Sequence, residues 1–142
     1  MTKRLVNFTL AVITFASVPH ASKAADAEAL CPQGNATVRG TYMAQGTGFI
    51  VGVGSISTVG VMIFDGKGTG VLTSTLSLNG AISRGTVSGP YTVNSDCTMT
   101  LTLSNGTNYD GVIAPDGSTG NWIETDTGSV LSGTFRRIGL VE

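Results

Sequence analysis

The chain has 142 residues, of which 41% are hydrophobic and only 12% charged, with 20 glycines, two cysteines, one histidine and a formal net charge of −1. That length suits one domain, and a chain without net positive charge offers no basic field for nucleic acid. The charged share is about half the usual one, and Thr, Ser, Asn and Gly replace it, a surface that suits strands better than helices.

Lys3 and Arg4 precede an apolar run from Leu5 to Val18, and Pro19 and the small residues Ala21, Ser22, Ala24 and Ala25 follow it. This is the order of a secretory signal peptide, and the run is shorter than the roughly 20 residues of a membrane-spanning helix. The expected leader is 1–24. Cleavage after Ala24 is preferred to cleavage after Ala27, and both obey the small-residue rule. Leu30 before Cys31 argues against a lipid anchor. Cleavage removes His20, Lys3, Arg4 and Lys23, leaving 118 residues with five basic against nine acidic side chains, a formal charge of −4. Without imidazole, Ser-His-Asp and Cys-His nucleophilic sites and His-ligated metal are excluded. No metal site and no cofactor is expected. The location is exported, periplasmic or extracellular, with no stable membrane span after cleavage.

Cys31 and Cys97 are the only cysteines, and in an oxidising compartment such a pair reads as one disulfide. It would tie an N-terminal segment, 25–36, to a domain spanning 37–142. A redox site needs closer spacing.

Alternation of apolar and polar residues predicts eight strands: Thr37–Gly46, Ile56–Phe64, Thr69–Leu78, Ala81–Val93 with a bend at Gly89-Pro90, Thr98–Leu103, Asn108–Ala114, Thr119–Glu124 and Ser129–Ile138. Thr98 to Leu103 is the clearest, with Met99, Leu101 and Leu103 on one face. Turn residues such as Asn79-Gly80, Asn105-Gly106 and Pro115-Asp116-Gly117 separate the runs. Short turns permit only an antiparallel meander, because parallel crossovers need a dozen or more residues. Closure into a small barrel removes both sheet edges and is favoured over a two-sheet sandwich.

The segment Thr47 to Ser55, rich in glycine and apolar residues, stands out as the one long connection. It reads as a plug across one barrel end, or as an apolar lip around Phe49 guarding an internal pocket. It lacks the dinucleotide fingerprint. The aromatic girdles and long loops of an outer-membrane barrel are missing.

Parity places Trp122 with Glu124, Tyr109 with Ile113, Arg84 with Ile82, and Arg137 with Leu131 and Phe135, leaving open which face is interior. Should Glu124 face inward, it needs a partner such as Arg84 or Arg137; otherwise all three sit at barrel rims in water. The candidate ligand-binding residues are Tyr42, Phe49, Tyr109, Trp122 and Glu124. They combine aromatic surface with one carboxylate, the mixture an apolar site with a polar anchor requires. No catalytic residue is named.

The runs Arg39–Tyr42, Val61–Gly68, Gly89–Leu103 and Ile123–Arg137 resemble a family of small exported bacterial proteins whose barrel is similar to those of allene oxide cyclase and lipocalin-like proteins. The resemblance covers about Cys31 to Arg137 and implies a barrel with an apolar interior. It carries over no cyclase catalytic position. Three functions follow: a binder of an apolar small molecule, a cyclase or isomerase with a buried acid beside the cavity, and a structural or interaction module of the cell envelope.

Overall fold

A computed structural model describes residues 28–140, so the expected signal peptide lies outside the described residues. A 3-10 turn, Gly34–Val38, leads into eight strands: β1 Gly40–Ile50, β2 Gly54–Phe64, β3 Thr69–Leu78, β4 Ala81–Val93, β5 Thr98–Thr102, β6 Asn108–Ile113, β7 Thr119–Glu124 and β8 Ser129–Gly139. They form a closed meander barrel in sequence order, and the sandwich alternative falls away. Closure is made by β1 against β8, antiparallel from Ile50↔Ser129 to Thr41↔Gly139, with one irregularity at Thr41/Tyr42.

The hairpins follow from turn chemistry. Leu78 and Ala81 pair directly, so the β3–β4 turn is only Asn79-Gly80. Both turn residues have positive φ, 48° and 88°, the geometry that matches the strand twist of a two-residue hairpin. The first expected strand and the connection after it require correction. Thr37 and Val38 belong to the 3-10 turn, and the glycine-rich stretch is no plug: Thr47 to Ile50 continues β1, paired on both sides. Only Val51-Gly52-Val53 is left as a turn, closed by the Val53 amide donating to the Ile50 carbonyl at 3.0 Å.

Inward positions near the start of β1 are large. Tyr42, Met62, Phe64, Tyr91, Met99, Leu101, Ile113 and Phe135 are buried there as one core. Tyr42 lies edge-on to Phe64 and Phe135, with ring centroids 5.5 and 5.4 Å apart, and Phe64 is 4.8 Å from Tyr91.

The N-terminal segment caps this end. The Cys31–Cys97 disulfide joins it to the β4–β5 turn, and Val38 is fully buried. Asn35 Oδ1 accepts from the Val93 amide at 2.8 Å, and its carbonyl accepts from the Tyr91 hydroxyl at 3.1 Å. Tyr42 donates to the Gly117 carbonyl at 2.6 Å, and Arg137 donates to the Tyr42 oxygen at 3.0 Å and to the Thr37 carbonyl at 2.7 Å. The phenols, the amide and the guanidinium drawn into this packed end therefore find partners, as burial demands, and the Thr37 hydroxyl is the exception.

The barrel wall is uneven. β4 pairs with β3 from Ala81 to Pro90 but with β5 only from Tyr91 to Val93. The first half of β4 therefore stands above the short strands β5, β6 and β7, and Ala81 to Thr86 are exposed.

Candidate functional site

Farther along the barrel many inward residues become small, while Ile50, Ile56, Leu76 and Leu131 remain large and also line the space. Ala44, Gly46 and Gly48 on β1, Gly60 on β2, Gly85 on β4, Gly111 on β6 and Gly133 on β8 occupy positions where larger side chains would fill an eight-stranded barrel. The space left is a cavity of about 390 Å³. Phe64, Phe135, Met62, Met99 and Leu101 form its floor, and Leu72, Val87, Leu103 and Leu131 stand in its walls. The tips of the β1–β2, β3–β4, β5–β6 and β7–β8 hairpins surround its mouth.

Trp122 forms part of the wall, and two glycines make room for it. It pairs with Gly133, which pairs in turn with Gly46. A Cβ on either glycine would run into the far edge of the indole, and on Gly133 also into the Gln45 carbonyl. Tyr109 stands edge-on to Trp122, with centroids 5.2 Å apart and planes at 89°. Burial pushes the Tyr109 hydroxyl up to about 12, with the charges of Glu124 and Asp126 adding to the effect. Glu124, directly opposite Tyr109 in the ladder, is partly buried and lines the cavity.

The opposite wall carries hydroxyls. Thr58, Ser74 and Ser83 on β2, β3 and β4 line the cavity, and Thr58 donates a long bond of 3.4 Å to the Thr75 carbonyl. Asn105 and Thr107 on the β5–β6 tip add to the polar lining, and Gln45, Arg84 and Asp110 border it from the outward positions of β1, β4 and β6. Arg39, Lys67, Arg136 and Arg137 belong to the packed end, where Asp65, Asp96 and Asp116 offset most of their charge; near the mouth the acids Asp110, Glu124 and Asp126 outnumber the one base, the exposed Arg84.

Of the five candidate residues, Tyr109, Trp122 and Glu124 come together on the cavity wall. Tyr42 does not join them. It is wholly buried in the packed end beyond the floor. Phe49 also departs from the expected lip: inward Gly48 and Ile50 flank it, so it projects outward, 48% exposed. Arg137 is no rim residue, since its guanidinium lies 5.5 Å from the Tyr42 ring centre inside the packed end. Arg84 is at the rim, as water-facing parity with Ile82 requires. The hydroxyl wall and the glycine seat of Trp122 were not anticipated; the signal was the parity of Thr58, Gly60, Met62 and Phe64, which puts a hydroxyl and a glycine on the face of two core residues. Among the described residues, no three His, Cys, Asp or Glu side chains converge to hold a metal ion, and no helix is long and apolar enough to cross a membrane.

No protein-family model and no curated protein matches the chain. Among solved structures it is similar to a redesigned β-barrel, mFAP0, bound to DFHBI, at 21% identity over 71% of this chain and 99% of that one, with a TM-score of 0.44. It is also similar to a second redesigned barrel, mFAP1, bound to DFHBI, at 21% identity over 72% and 97% of the two chains and a TM-score of 0.46. A de novo designed fluorescence-activating β-barrel matches at 17% identity over 70% and 93% of the two chains, with a TM-score of 0.42.

Proposed function

We propose that this protein is an exported barrel that binds an apolar small molecule. The observation that carries the reading is the cavity of about 390 Å³, apolar in floor and walls and edged by a few polar groups. Its volume falls within the range of small-molecule sites, and its lining has their composition. The resemblance to small exported barrels of the allene oxide cyclase and lipocalin-like kind agrees with this, and the Cys31–Cys97 disulfide supports an oxidising compartment.

Titration with an uncharged apolar dye tests the reading. Trp122 is the only tryptophan and lines the cavity, so its emission reports occupancy. One dye per barrel should bind, and an Ala44→Phe/Ser74→Leu variant, which fills the cavity from inward positions of β1 and β3, should lose it. Equal binding by the filled variant would place the dye elsewhere and refute the proposal.

One observation favours a second reading. Glu124 sets a carboxylate beside an apolar cavity, next to a phenol, and that arrangement could supply the proton transfer of a cyclase or isomerase. Glu124→Gln separates the two: a binder retains an uncharged ligand, whereas an enzyme keeps its substrate and loses turnover.

A further inference from the structure

The polar groups at the mouth specify more than an apolar ligand. Glu124 faces inward beside Trp122, and none of its inward neighbours, Tyr109 on β6 or Gly133 and Leu131 on β8, is basic. Arg84, the base nearest the mouth, shares the outer face of β4 with Ile82 and is exposed to water, and it borders the cavity at its rim. The cavity lining thus carries two carboxylates, Glu124 and the more exposed Asp110, against the single guanidinium of Arg84. A neutral ligand seated against Glu124 would take its carboxylate out of water, and an anionic one would add repulsion from Glu124 and Asp126. A cation would be attracted by both acids and by the π-faces of Tyr109 and Trp122, whose rings stand edge to face on the same wall.

We infer that the ligand is a cationic amphiphile, its apolar chain held among Leu72, Met99 and Leu101 and its amine or quaternary ammonium head group at the mouth beside Glu124, Tyr109 and Trp122. This rests on the binding reading above and adds the charge of the ligand to it. The charges at the mouth agree: Asp110, Glu124 and Asp126 outnumber Arg84 there, so the mouth presents a net negative field to an approaching cation.

Three probes with the same chain test it: decyltrimethylammonium, decanol and decanoate, each below its micelle concentration, titrated into the full domain with Trp122 emission and calorimetry as readouts. The cation should bind about tenfold more tightly than decanol, the size of one partly desolvated cation–π and ion-pair contact. Decanoate should bind most weakly. Glu124→Gln should bring the cation to within about twofold of decanol, by weakening the cation and tightening decanol, and Glu124→Lys should make decanoate the tightest of the three; melting curves check that both variants are folded. Decanol or decanoate binding as tightly as the cation to the unmodified protein, or a cation advantage that survives Glu124→Gln, would overturn the inference while leaving an apolar site in place. Failure of all three probes to bind would overturn the binding reading itself.

Discussion

Removing the Cys31–Cys97 disulfide should cost this barrel a large part of its stability. The bridge spans 66 positions, so on the chain-entropy account its loss frees the unfolded state by about 4 kcal/mol. For a domain of this size that corresponds to a fall in melting temperature of roughly 15 °C. A second effect is superimposed: Cys97 has φ of 66°, a left-handed conformation that costs a non-glycine residue about 1 kcal/mol. The variants Cys31→Ala/Cys97→Ala and Cys31→Ala/Cys97→Gly should therefore both melt well below the parent, with the glycine version recovering about 1 kcal/mol. Circular dichroism melts and urea titrations measure both differences. A loss under about 1 kcal/mol would show that the N-terminal cap stays docked without its covalent tie. An alanine variant equal to the glycine one would refute the strain at Cys97.

Tyr42→Phe removes the hydroxyl shared by Gly117 and Arg137 and should cost about 1 to 3 kcal/mol in urea unfolding, with ligand affinity unchanged because the network lies beyond the cavity floor. Burial raises all three tyrosine hydroxyls, Tyr91 and Tyr109 to about 12, so native phenolate absorbance should not develop at about pH 10. Because the folded state holds these protons longer, the stability they support is complete below about pH 10 and lost as pH rises toward 12; a tyrosine titrating normally in the native protein would contradict this. Asp65 and Asp116 are held below the usual carboxylate range by backbone amides, of Thr69 and Lys67 and of Ser118 respectively, and Asp96 by the Thr98 hydroxyl and amide. Their contribution is present above about pH 4 and fades as pH falls through their lowered values, so Asp65→Ala should flatten the acid limb of the stability curve. Gly133→Ala should displace the indole, visible as a shift in Trp122 emission together with a lower melting point.

Strand period made most of the barrel readable in advance, because each strand is half-buried and short turns leave a meander few ways to fold. The same parity placed Trp122 with Glu124 and Tyr109 with Ile113, pairings that become meaningful once β7 and β6 are known to turn those faces inward. What misled was glycine. Gly46 and Gly48 look like loop residues, yet they sit in the middle of β1 because the indole of Trp122 and the β8 backbone leave no room for a Cβ. That close approach joins residues more than 70 positions apart and leaves no local trace. Misreading β1 as a loop also made Phe49 a lip, whereas the period of two turns it outward. Tyr42 is a different case: its face was right, but its depth depends on the 3-10 cap over the packed end, a segment without periodicity of its own.

The central claim, that the barrel interior is a ligand site, is tested most directly by a crystal structure of the protein grown with a brominated apolar probe, located by the anomalous signal of its bromine. Signal between Trp122 and Leu72, inside the cavity, is the predicted result. Signal confined to the outer face, for example over the exposed Met43 and Val61, with an empty interior would contradict it.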